Sequence, residues 1–93
     1  MIRQRLRITG KVQGVFYRAW FAEQATALGI DGWVRNRADG SVEAVVQGAP
    51  EMVAEIIAKA REGSPAARVA DVGVSDEPLS AEALAGFKKR PTA

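Results

Sequence analysis

Residues 2–10 alternate. Ile2, Leu6 and Ile8 share one parity with Gln4, while Arg3, Arg5 and Arg7 take the other, as in a strand with one buried and one wet face. Tyr17, Phe21, Ala25 and Leu28 then recur at helical spacing, with Trp20 and Ala22 alongside, predicting a helix over residues 17–28. Gly29 suits the left-handed residue just past a helix end. Alternation returns over residues 31–37, where Gly32, Val34 and Asn36 oppose Trp33, Arg35 and Arg37. Ala38-Asp39-Gly40 is a hairpin signal. A third strand carries Val42, Ala44 and Val46 inward and Glu43, Val45 and Gln47 outward. Pro50 suits the first turn of a second helix, whose apolar stripe is Val53, Ile56, Ile57 and Ala60 and which Gly63-Ser64-Pro65 stops. A fourth strand spans residues 68–75. Val72 and Val74 are in phase and Val69 is not, which marks a bulge. Residues 76–85 read as a loop, with a short helical turn over 80–84. Residues 87–90 can add a short edge strand whose charges discourage edge-to-edge pairing.

Strand, helix, strand, strand, helix, strand is the βαββαβ order of a ferredoxin-like sandwich. The expected class is α+β, an antiparallel sheet with two helices on one face and a short fifth strand at the edge. The 93 residues suffice for one domain over 1–93, without repeats or linkers.

Composition removes several chemistries. There is no cysteine, hence no thiol nucleophile, disulfide or thiolate metal site, and no histidine, hence no imidazole base. No metal or cofactor is expected. No apolar run can span a membrane and no secretory leader is visible, so a cytoplasmic monomer is expected. The net charge of +2 does not by itself imply nucleic acid. Any chemistry must use Arg, Lys, carboxylates, amides, hydroxyls and backbone.

One junction breaks two local rules. No Ser, Thr, Asp or Asn lies between Lys11 and Ala19 to cap the first helix, and Arg18 sits in its first turn, where the helix dipole disfavours a cation by about 0.3–1 kcal/mol. An anion docked there repairs both. The main-chain N–H groups of Gln13, Gly14, Val15 and Phe16 would point at it and the Arg18 guanidinium would grip its oxygens, making a phosphate cradle. Asn36 shares phase with Val34, so its side chain is expected on the helix-covered side, near Arg18. Without an imidazole, thiol or metal cluster, an acyl phosphate is the fitting substrate, because its carboxylate leaving group needs little protonation. Arg18 and the loop would hold phosphate, and Asn36 would aim a water.

Gly10-Lys11-Val12-Gln13-Gly14-Val15-Phe16-Tyr17-Arg18 resembles the first signature of the acylphosphatase family, G-x-V-Q-G-V-[FY]-[FY]-R. Gly32-Trp33-Val34-Arg35-Asn36, continuing through Gly40, Val42 and Gly48, is similar to the second, and the resemblance covers residues 6–74. It implies an α/β sandwich that hydrolyses acyl phosphates to carboxylate and inorganic phosphate without metal. Arg18 would bind the phosphoryl group, Asn36 would orient water, and the substrate's own phosphate would accept the proton. Members of that family often close with an apolar-alternating strand, whereas here Phe87 is followed by Lys88-Lys89-Arg90-Pro91. Two other readings compete. Arg3, Arg5, Arg7, Trp33, Arg35 and Arg37 could make a basic open face for single-stranded RNA, although the RNP pattern and an aromatic platform are missing. A non-catalytic anion-binding module would bind phosphate without turnover. The expected partner is a small-molecule acyl phosphate, with no nucleic acid and no membrane.

Overall fold

A computed structural model describes residues 1–80 and 82–93. The elements are β1 (Ile2–Lys11), α1 (Tyr17–Ala27), β2 (Asp31–Asn36), β3 (Val42–Gly48), α2 (Pro50–Glu62), β4 (Arg68–Asp76) and β5 (Phe87–Lys89). Together the strands form one sheet in the order β4-β1-β3-β2-β5. β1 pairs antiparallel with β3 and β4, and β2 antiparallel with β3. The fifth strand departs from the all-antiparallel expectation: it runs parallel to β2, with Gly32 opposite Phe87 and Val34 opposite Lys89, so the sheet is mixed. β4 and β5 occupy opposite edges. The chain turns back across the sheet between them, so β5 runs opposite to β4 and hence along β2.

The two alternating registers separate the faces of the sheet. Leu6, Ile8, Val34, Val42, Ala44 and Val46 are fully buried against Tyr17, Phe21 and Ala25 of α1 and Val53, Ile56 and Ala60 of α2. Each large side chain contributes about 1.5–3 kcal/mol by leaving water. The Tyr17 hydroxyl donates to the Ala60 carbonyl at 2.9 Å, tying the helices together, and burial pushes its phenol pKa up. Phe87 alternates onto the same face, its ring 5.6 Å from that of Phe21.

The other face is wet only in part: Arg7 is exposed as alternation predicts, but much of the rest is covered. Arg3, Trp33, Glu43, Val45 and Gln47 are all buried there. Arg3 donates to Gln47 Oε1 and to the Glu82 carbonyl, both at 2.7 Å, so the segment after β4 lies over it. Arg5, Arg35 and Arg37 converge on the Glu43 carboxylate, and Arg5 also reaches Glu77 at 2.7 Å. The guanidinium carbons of Arg5, Arg35 and Arg90 lie 5.6, 4.7 and 4.7 Å from the Trp33 ring centre, covering the indole by cation–π contact more fully than half. Arginine stems cover apolar surface while their charged heads reach polar partners. The basic open face of the RNA reading is therefore occupied by the chain's own carboxylates and segment after β4.

The predicted bulge is present. Thr9 faces Asp71 and Gly10 faces Val69, leaving Ala70 as the extra residue of β4. The helical turn expected over 80–84 includes residue 81, which lies outside the described residues, and Glu82–Leu84 have no regular structure.

Candidate active site

The loop between β1 and α1 gives the site its shape. Gly14 and Phe16 have positive φ, 73° and 58°, and Val15 between them does not. Such alternation turns successive N–H groups into one concavity, an arrangement that suits an anion. Among the described residues, no acceptor receives a well-formed hydrogen bond from the main-chain N–H of Gln13, Gly14, Val15 or Phe16. α1 opens on Phe16 with no side-chain cap and no acidic residue in its first turn. Gln13 braces the loop from the side: its Nε2 donates to the carbonyls of Arg37 and Ser41, both at 2.7 Å, pinning the loop to the β2–β3 hairpin.

Arg18 and Asn36 line one pocket of about 300 Å³ together with Val12, Gly14, Phe16, Tyr17, Ala19 and Lys89. Arg18 comes from the first turn of α1 and Asn36 from the last position of β2, opposite Val42. The phase shared with Val34 places Asn36 on the helix side, as parity predicts. Its Oδ1 is buried and has no hydrogen-bond partner among the described residues, so it remains an acceptor within the pocket wall. Arg18 donates from Nη1 to the Arg90 carbonyl at 3.3 Å, which leaves most of its guanidinium fork for a ligand. Of the four loop residues expected to present their N–H groups, Gly14 and Phe16 line the pocket and Gln13 and Val15 do not.

Two participants escaped the sequence reading. Lys89 lines the pocket from β5, and the Arg90 carbonyl meets Arg18. The signal for Lys89 was its parity with Phe87, which directs it to the helix side. The Arg90 contact depends on the tail running beside β2, where the Arg90 N–H donates to the Val34 carbonyl at 2.8 Å and the Ala93 N–H to the Asn36 carbonyl at 3.0 Å. Among the described residues no group of three or more carboxylates is placed to hold a metal ion, and no helix is long and apolar enough to cross a membrane.

A family model described as acylphosphatase matches residues 4–89. The chain is 55% identical over 91 residues to an acylphosphatase of Rhizorhabdus wittichii, an alignment covering 98% of this chain and 90% of that one. The crystal structure of acylphosphatase from Bacillus subtilis superposes with a TM-score of 0.91 at 31% identity, covering 97% of this chain and 99% of that one. The structure of an acylphosphatase from Coxiella burnetii gives 0.90 at 31% identity, covering 96% and 92%.

Proposed function

Since this chain belongs to the acylphosphatase family, enzymes of the acid-anhydride hydrolase class, we propose that it hydrolyses small acyl phosphates by positioning and charge stabilisation alone. The phosphoryl group sits in the loop of residues 13–16, its oxygens taking the main-chain N–H groups of Gln13, Gly14, Val15 and Phe16. Arg18 grips two of those oxygens in a bidentate fork. The side chain of Asn36 orients a water in line with the bond to be broken. The water oxygen bonds to phosphorus, the phosphorus–acyl oxygen bond breaks, and the electron pair leaves with the carboxylate. The water's proton passes to a phosphoryl oxygen of the substrate, so no side-chain base is required. A carboxylate departs readily near neutral pH because its conjugate acid is strong.

The observation that carries this reading is the shared pocket: a guanidinium, an unpartnered amide oxygen and a loop of unpaired N–H groups around about 300 Å³. Each preorganised donor of this kind is worth about 10²–10³ in rate in other enzymes. The test is benzoyl phosphate hydrolysis by the wild type and Arg18→Gln, side by side, with and without EDTA. The variant is expected to lose about 10²–10³-fold in kcat/KM and to be inhibited less by inorganic phosphate, with EDTA having no effect. Phosphate protection against heat with no turnover by the wild type would instead establish a non-catalytic anion module.

A further inference from the structure

The phosphate pocket has a neighbour. A groove of about 470 Å³ runs along α1, lined by Ala19, Ala22, Glu23, Thr26, Ala27 and Lys89. Ala19 and Lys89 line both spaces, so the groove continues directly from the site of phosphoryl transfer. An acyl phosphate held by its phosphoryl group must send its acyl group out of the cradle, and the groove is one continuous path for it. Ala19 and Ala22 leave room, and Thr26 adds a hydroxyl at the far wall.

Lys89 stands at the junction. It sits opposite Val34 in the parallel pairing of β5 with β2, so its stem leaves the sheet on the helix side. Among the described residues no carboxylate lies within 4 Å of its ammonium, although Glu23 lines the same groove. A cation with no internal partner, at the point where the acyl group leaves the cradle, selects by charge.

We propose that Lys89 is a specificity-determining residue for the acyl half of the substrate, favouring acyl phosphates whose acyl chain carries a carboxylate. Lys89 attracts that second anion, and Glu23 further along the groove opposes it. The inference rests on the hydrolysis proposed above.

The test compares kcat/KM for succinyl phosphate and benzoyl phosphate at low ionic strength, in the wild type, Lys89→Met, Glu23→Gln and Lys88→Met. The ratio of succinyl to benzoyl phosphate is expected to fall by about threefold to fivefold in Lys89→Met, the scale of a partly exposed ion pair, and to rise in Glu23→Gln. It should stay at the wild-type value in Lys88→Met, because Lys88 alternates to the other face. Salt at about 0.5 M should shrink the wild-type ratio toward that of Lys89→Met. A ratio unmoved in Lys89→Met overturns the proposal. Equal losses on both substrates together with weaker phosphate inhibition overturn it too, and assign Lys89 to the phosphoryl group. Failure of the wild type to hydrolyse either substrate sinks the proposed hydrolysis itself, an outcome distinct from both.

Discussion

Phe16 is the single non-glycine residue with positive φ among those described, and the residue is 86% exposed. A left-handed backbone costs a residue with a Cβ about 1–2 kcal/mol, and no burial of the phenyl offsets it. Such strain is found where local geometry serves a site, and here it completes the alternation of backbone hands that gathers the loop's N–H groups. Nothing in the sequence announces it, since phenylalanine is not a residue from which a left-handed conformation is inferred. Asn36 is the opposite case. Two-residue periodicity from Val34 is enough to assign it to the helix side, and the structure brings it to the same pocket as Arg18. If Asn36 acts on water and Arg18 on phosphate, the two variants separate. Asn36→Ala should lower kcat by about 10²-fold while the inhibition constant for inorganic phosphate stays within about twofold of the wild type. Steady-state kinetics with phosphate as competitor check this, and equal losses in rate and phosphate affinity would refute the division of labour.

The loop depends on the strands that carry it. At Gly10, φ is 115° and an added Cβ would lie 2.3 Å from the Arg68 carbonyl oxygen and 2.6 Å from the Ala70 nitrogen. Both contacts are with backbone at the bulge, where no side-chain rotation relieves them. Gly40 in the hairpin has φ of 93° but open space around its missing Cβ. Gly10→Ala should therefore cost more than about 3 kcal/mol, combining strain and overlap, against about 1–2 kcal/mol for Gly40→Ala. Urea unfolding of the two variants measures the difference, and similar midpoints would mean that β4 shifts freely. Helices and strands emerged from periodicity to within about two residues, and the out-of-phase Val69 was enough to mark the bulge. The direction of β5 was hidden, because three residues carry no information about which way the preceding segment crosses the sheet.

At the scale of the molecule, alternation distinguishes two faces without saying what covers each. Arg3, Arg5, Arg7, Arg35 and Arg37 share the non-helical face, and arginine normally signals solvent. Arg35 and Arg37 meet Glu43 across the hairpin, but the pairing of Arg5 with Glu43 and Glu77 and of Arg7 with Asp39 joins residues 32 to 72 positions apart, invisible to any local pattern. Glu43 is the hub, taking Arg5, Arg35 and Arg37 on one buried carboxylate. Glu43→Gln would leave these guanidiniums clustered without their counter-charge, at an expected cost of about 1–3 kcal/mol in urea unfolding. Because this face lies opposite the pocket-bearing helices, kcat for benzoyl phosphate should hold at temperatures where the variant is folded.

The same carboxylates dictate how the fold responds to acid. Burial pushes the Glu43 pKa up, but hydrogen bonds from Arg35 and Arg5 outweigh it and hold the carboxyl below its ordinary value. Arg5 lowers Glu77 and Arg90 lowers Glu82 in the same sense. Asp39 falls from 3.8 to about 2, through hydrogen bonds from the Ser41 hydroxyl and N–H and then from Arg7. Each group is easier to ionise in the folded chain than in the unfolded one, so the unfolded state binds more protons as pH drops. The stability these carboxylates contribute is complete above the ordinary carboxylate range and is lost as pH falls through their folded values. Urea midpoints should thus be level from pH 7 to about 5 and decline below about 4.5. Asp39→Asn should remove the part of that decline lying between pH 3.8 and about 2, leaving the part due to the glutamates. A midpoint that rose on acidification would mean that the arginine–carboxylate pairs on this face are worth nothing to the fold.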